Sequence, residues 1–241
     1  MSEIILMSDP RVAAVRIDEC GDALVDVRGS LLVDDRKHQD SRGAEVHLRR
    51  GVLDRVLRAQ TLLPEGLRLL FVEGYRPPAL QRSYFEQYAD ELRAGHPDWP
   101  ADRIRSAASR YVSPPEIAPH TAGAAVDLTL ADTDGRELDL GTPMNASPEE
   151  SAGACYTAAD GITDEASANR AVLGAALSAA GLVNYPTEWW HWSYGDRCWA
   201  LATGAPAALY GPGELDASQA GLAGADGGDE GGSTEHPDRA R

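Results

Sequence analysis

The sequence predicts an α+β fold, and three observations carry that prediction. Segments with helically spaced apolar residues alternate with short apolar or aromatic runs. The connections between them are long and irregular, and the composition changes only once, near Tyr210. A doubly wound sheet would show regular strand–helix–strand repetition, whereas interspersed elements with uneven links favour α+β.

Glu45 to Leu63 carries Val46, Val52, Leu53, Val56 and Leu57 at helical spacing and is stopped by Pro64. Leu67 to Val72 is a short apolar run, expected as a buried strand closed by Gly74. Pro77-Pro78 opens a second helix, where the missing N–H is harmless, running to about Ala94 before Gly95. Val126 to Leu130 reads as a strand. Ala166 to Ala180 reads as an alanine-rich helix, capped by Thr163 or Asp164 and ended by Gly181. Trp189 to Tyr194 is expected as a strand on its aromatic content. From Gly211 to Arg241 the chain is Gly, Ala, Asp, Glu, Ser and Pro, with little to bury besides Leu215 and Leu222. It is expected to be a disordered tail following a domain over 1–210.

The 241 residues are enough for a proper core without staples. A formal net charge of −16 would repel polyanions, so nucleic acid and anionic membrane surfaces are not expected partners. No apolar run approaches the roughly 18 residues of a membrane span. The N-terminal residues do not resemble a signal peptide, so a cytoplasmic protein is expected. Cys20, Cys155 and Cys198 are far apart, with no CxxC pair, which excludes a cysteine zinc knuckle and a disulfide framework.

Of the six histidines, His47 (on the expected helix) and His236 (in the tail) read as solvated, and His38 and His96 lie in polar, turn-rich stretches. His120 and His191 differ. His120 is followed by Thr121-Ala122-Gly123-Ala124-Ala125-Val126-Asp127, which places Asp127 among apolar residues of an expected buried strand. A lone carboxylate there is costly unless paired or metal-bound. Taken alone, this stretch is better explained by a satisfied core pair or an ordinary turn. In Thr187-Glu188-Trp189-Trp190-His191-Trp192, an acid and an imidazole share an aromatic run. For Glu188 and His191 to serve one site, Glu188 must lie in a bend after Pro186 with His191 already in the strand, since residues three apart on a straight strand face opposite ways. The competing reading is an aromatic core strand with a peripheral acid. Glu73-Gly74-Tyr75-Arg76-Pro77-Pro78 fixes an arginine between a strand end and a proline turn, where it can meet developing negative charge or simply bond local carbonyls. Two imidazoles, one carboxylate and a spare Glu match an open catalytic zinc site with a general base. No HExxH, G-x-S-x-G or P-loop motif is present.

In this order and at these separations, Gly74 to Pro77, Ala118 to Asp127 and Glu188 to His191 resemble the VanX-type D-alanyl-D-alanine dipeptidases. These are zinc enzymes of a wider group that includes D,D-carboxypeptidases and shares the zinc-site fold of the hedgehog signalling domain. The likeness spans roughly residues 20 to 200 and includes Asp127 to Leu130 and Asn169-Arg170.

The resemblance implies a small central antiparallel sheet carrying a zinc site and flanked by helices, with one Zn2+ per chain held by His120, Asp127 and His191. Glu188 would be the base and Arg76 the group that polarises the scissile carbonyl, with a small D,D-dipeptide as substrate. Cell-wall precursor chemistry, in glycopeptide resistance or dipeptide recycling, would follow. The family usually has Ser where Ala118 stands and an acid where Asn145 is placed to meet the substrate amine. Ala118, Asn145 and Trp190 are therefore the expected substrate contacts, with Asp139, Glu149 or Glu150 as sources of the missing charge. The same resemblance admits a D,D-carboxypeptidase, a biosynthetic peptide-trimming enzyme, or a non-catalytic zinc-binding module.

Overall fold

The computed structural model describes residues 4–34 and 43–215. Its centre is a five-stranded sheet of order β2-β4-β5-β7-β6, with β2 Leu32–Val33, β4 Arg68–Glu73, β5 Ala125–Ala131, β6 Val183–Asn184 and β7 His191–Ser193. All neighbours are antiparallel except the short edge β2, which runs parallel to β4. Beside it, β1 Leu24–Asp26 pairs antiparallel with β3 His47–Arg49. The helices are α1 Pro10–Ala13, α2 Arg50–Leu62, α3 Pro78–Gly95, α4 Ala101–Ala108, α5 Asp164–Ala179 and α6 Arg197–Thr203. The expected α+β class and helix-flanked sheet are thus observed.

β5 is buried along its whole length because both faces are covered. Side chains alternate along a strand, so Val126, Leu128 and Leu130 enter the main core while Asp127 and Thr129 turn the other way. α2 lays Val52, Leu53, Val56 and Ala59 onto the same core, which Leu173, Ala176 and Leu177 of α5 complete. A second cluster joins α3 and α4 through Tyr88, Ala89, Leu92, Ile104 and Ala108. α5 is capped as expected: the Thr163 hydroxyl accepts from Ala166 N–H at 3.1 Å, and Gly181 follows at φ 91°.

Two expectations need correction. The helix expected from Glu45 starts at Arg50; Ala44–Val46 is a 3-10 turn and His47–Arg49 a strand. Every residue of that strand is buried, and its antiparallel pairing satisfies backbone groups of β1 that a helix here would have left unpaired. His47 is therefore buried rather than solvated, its Nδ1 lying 3.1 Å from Gly43 O. At the start of the expected tail, Gly211 N–H donates to Glu19 and Gly213 N–H to Thr121 O. The remainder of the expected tail, with His236, and the stretch holding His38 lie outside the described residues.

Arg170, buried on α5, sends its guanidinium to three carbonyls of the loop between β5 and α5: Leu140 O at 2.7 Å, Tyr156 O at 2.8 Å and Ala154 O at 2.9 Å. Arg170→Leu strips all three carbonyls of a charged donor. It is expected to lower unfolding stability by about 3 kcal/mol, measured by urea denaturation. A loss under about 1 kcal/mol would show that the loop does not depend on it.

Candidate active site

The sheet register assembles the site. Glu73 of β4 pairs with Asp127 of β5, and Asp127 pairs with His191 of β7, so three side chains stand in one row across adjacent strands. The β4–β5 register shifts between Phe71 and Glu73. Such an irregularity re-aims a side chain, and here it brings Glu73 into line with Asp127. Beyond β4 the chain turns through Gly74-Tyr75-Arg76. Gly74 is required by close approach, since a Cβ there would meet His47 O at 2.3 Å and Leu48 Cδ2 at 2.8 Å. His120 sits on the 3-10 turn Pro119–Ala122, which Gly123 leaves at φ 63° with Leu24 packed against it.

These elements bring His120, Asp127 and His191 together, all buried. His120 Nε2 is 3.2 Å from His191 Nδ1 and 3.3 Å from Asp127 Oδ1, and His191 Nδ1 is 3.0 Å from Asp127 Oδ1. Three donors at tetrahedral angles, 2.0–2.1 Å from one ion, are about 3.3 Å apart, close to this triangle. Hydrogen bonds alone serve it poorly. His120 Nδ1 faces Gly74 O at 2.6 Å, which in the neutral ring makes Nδ1 the donor and leaves Nε2 a bare lone pair aimed at a carboxylate. His191 Nδ1 can offer at most one hydrogen to its two neighbours, and His191 Nε2 is buried with no hydrogen-bond partner among the described residues. A cation among the three near atoms satisfies all of them, so the donor set fits a zinc ion.

The electrostatics agree. Burial alone would raise the Asp127 carboxyl, but His120 and His191 outweigh it and hold it well below the usual range, so the anion persists. Burial lowers His191 and favours its neutral, ligating form, although Asp127 opposes this. His120 is raised despite burial, because the Asp127 charge faces it.

Glu188 lies in the bend after Pro186, with its N–H on Tyr185 O, and its Oε2 is 3.8 Å from His191 Nδ1. This is the placement required for Glu188 and His191 to share a site. Burial and the neighbouring Asp127 charge push its carboxyl well above the ordinary value, against the pull of Arg76, making it a stronger base than a surface glutamate. Arg76 is locked in place: Nε and Nη2 grip Glu73 at 2.6 and 2.7 Å, and Nη1 donates to Gln81 Oε1 at 2.9 Å. Gln81 is itself anchored on Ser113 O. Such a two-point carboxylate grip fixes the plane of the guanidinium.

The family model described as D-ala-D-ala dipeptidase (peptidase M15) matches residues 46–204, well over half of the chain. The chain belongs to the D-Ala-D-Ala dipeptidase family. It is therefore a peptidase, a hydrolase. Three proteins called D-alanyl-D-alanine dipeptidase are similar to it. That of Synechocystis is 26% identical over 78% of this chain and 87% of its own length. That of Enterococcus faecium is 29% identical over 59% and 70%, and that of Escherichia coli 28% identical over 52% and 54%.

In this member of the dipeptidase family, Glu73, Arg76, His120, Asp127, Glu188 and His191 all line one cleft of 710 Å3. Trp190 and Asn145 also line it; Asn145 is in the left-handed region at φ 63°, and its carbonyl accepts from the Tyr111 hydroxyl. Ala118 is buried behind the site, where its carbonyl accepts from Thr121, and does not face the cleft. Asp139 lies outside the lining and binds Gly141 N–H. Glu149 lines the cleft but is engaged by Tyr88 and Arg110, while Glu150 sits on the rim in a reciprocal cap with Ser147.

Sequence reasoning did not assign parts to Glu73, Gln81 or Asn184. Asn184 Nδ2 donates to Glu188 O and His191 O, tying down the bend that presents the base. The spacing of Glu73 and Arg76, an acid three residues before an arginine across a turn, was a signal for their pairing. Gln81 and Asn184 gave none, because a polar side chain on a helix or at a strand end does not reveal which guanidinium or carbonyl it will meet once the turns around it are folded.

Proposed function

We propose that the chain is a zinc-dependent hydrolase of D-alanyl-D-alanine or a closely related D,D-dipeptide. The observation that carries this reading is the buried His–Asp–His triangle, with a buried carboxylate 3.8 Å from one of its atoms and a locked arginine on the same cleft. His120 Nε2, Asp127 Oδ1 and His191 Nδ1 would hold one zinc ion, which supplies Lewis acidity and brings the pKa of a bound water to about 7. Glu188 would take the proton from the attacking water as the water oxygen adds to the scissile carbonyl carbon. Arg76 faces the carbonyl oxygen and carries part of its growing negative charge, without reorganising because Glu73 and Gln81 already hold it. When the C–N bond breaks, Glu188 passes the proton to the departing amine, and two free amino acids result. Trp190 helps to exclude bulk water, which strengthens these charge interactions.

At the substrate ends, Glu150 on the cleft rim supplies the negative charge that Asn145 lacks, and with Asn145 it receives the free amine. Ala118 supports the His120 turn instead of touching substrate. A soluble cytoplasmic enzyme acting on cell-wall dipeptide, in resistance or recycling, fits this chemistry; no helix among the described residues is long and apolar enough to cross a membrane. The domain is proposed to include Gly211–Leu215, which is bonded to it.

One observation favours a second reading. The cleft runs along α3 past Gln87 and Glu91 to Gly95 and His96, room enough for a longer peptide and hence for D,D-carboxypeptidase action. Zinc-loaded protein assayed on D,D-, L,D- and longer D,D-terminated peptides separates the two. D-Ala-D-Ala is expected to be hydrolysed fastest. Preference for the longer peptides would establish the carboxypeptidase reading, and no hydrolysis of any would overturn both.

A further inference from the structure

The last described residues make contacts that the hydrolytic chemistry does not itself require. Gly211–Leu215 passes behind the two turns that carry Arg76 and His120. Gly213 N–H donates to Thr121 O at 3.0 Å, and Gly213 O accepts from the Tyr75 hydroxyl at 2.8 Å. Thr121 follows His120 and Tyr75 precedes Arg76, so a single residue is bonded to both turns. Arg49 reinforces the arrangement: its Nε donates to Ala122 O at 2.8 Å, its Nη1 to Asp22 O at 2.5 Å and its Nη2 to Gly211 O at 3.3 Å. Glu19 takes Gly211 N–H at 2.8 Å, Leu215 packs on Leu24, Ala44 and Tyr75, and Pro212 restricts the backbone between the two glycines. None of Tyr75, Thr121 and Gly213 lines the cleft.

We propose that Gly211–Leu215 is a positioning strap that sets the His120 turn against the Arg76 turn, with Arg49, Tyr75 and Gly213 as positioning residues. This rests on the reading of the site as a metal-dependent hydrolase. Neither turn is part of a strand ladder. Directly, they are joined by Arg76 N–H on His120 O at 3.1 Å and by the His120 ring on Gly74 O. β3 also bridges them, with Tyr75 N–H on His47 O at 2.7 Å and Arg49 N–H on Gly123 O at 2.9 Å, and the strap adds a further line of bonds through residues outside the cleft lining. Reaction geometry is sensitive to displacements of about 1 Å, so slack between the turns moves a ligand and the carbonyl-polarising arginine relative to each other while the core stays intact.

The test uses full-length Gly213→Pro, which deletes the N–H bonded to Thr121 O, and Tyr75→Phe, which deletes the hydroxyl and keeps the ring. Amide hydrogen exchange, zinc affinity by chelator competition, and kcat and KM on D-Ala-D-Ala are compared with the parent at a temperature where all are folded. Exchange is expected to accelerate at 74–76 and 120–123 while β5 stays protected. Zinc affinity is expected to fall about tenfold, the lower end for outer-sphere changes, and kcat to fall with KM within about twofold. Tyr75→Phe should show the same pattern more weakly. Unchanged exchange and zinc affinity would overturn the proposal, as would acceleration spread equally over β4 and β5. If the parent fails to hydrolyse the dipeptide while the turns loosen as expected, the hydrolytic reading falls and the strap stands.

Discussion

Glu188→Gln is expected to keep zinc bound and to lose turnover by on the order of 10²- to 10⁴-fold in kcat, the range ascribed to a positioned acid–base group. The amide keeps the size and the place in the bend, because the tethers there run through backbone: Asn184 bonds Glu188 O and Glu188 N–H bonds Tyr185 O. What disappears is the proton acceptor beside the water and the donor to the leaving amine. Removing a buried acid with a raised pKa also relieves its repulsion with Asp127, so the protein should be no less stable than the parent. Metal content and kcat together decide the outcome. Loss of zinc in this variant would make Glu188 a ligand and invalidate its assignment as base, while retention of activity would remove it from the proton path.

Asp127→Asn is the second large effect. It preserves shape and removes the single negative charge among the three near atoms, leaving two imidazoles and a neutral amide around a divalent cation. Zinc affinity is expected to fall by more than about 100-fold, beyond the scale of outer-sphere substitutions, and activity at limiting zinc should disappear. Apo stability should change far less than affinity, because the asparagine carbonyl can still accept from His191. Isothermal titration with zinc reads the affinity, and thermal melts with and without zinc separate the two contributions. Parent-like affinity would exclude Asp127 from the coordination shell.

Much of this site could be read from sequence because its chemistry is local. Each site-bearing segment places its reactive side chain beside small, proline or aromatic residues that restrict the backbone: Gly74 before Arg76, Gly123 after His120, the tryptophans around His191. Asp127 stood out as a carboxylate inside an apolar run, and burial made that anomaly informative. The elements that went unread depend on partners distant in sequence. His47–Arg49 carries a helix-compatible pattern, and only pairing with β1 makes it a strand. α4 is short, follows Pro100 and buries just Ile104 and Ala108, so its apolar stripe is too brief to register before α3 is packed against it. The attachment of Gly211–Leu215 was hidden by its composition, since its bonds use backbone groups and the side chains of Arg49, Tyr75 and Glu19. Composition predicts what a segment can bury, not which carbonyls it will meet.

X-ray absorption at the zinc edge, on full-length protein loaded with one equivalent, probes the proposed ligand set directly. Two imidazole nitrogens and carboxylate or water oxygen, at about 2.0–2.2 Å and without sulfur, are expected. A scattering shell at about 2.3 Å, the distance of thiolate sulfur, or protein that retains no zinc after desalting, would contradict the account at its foundation.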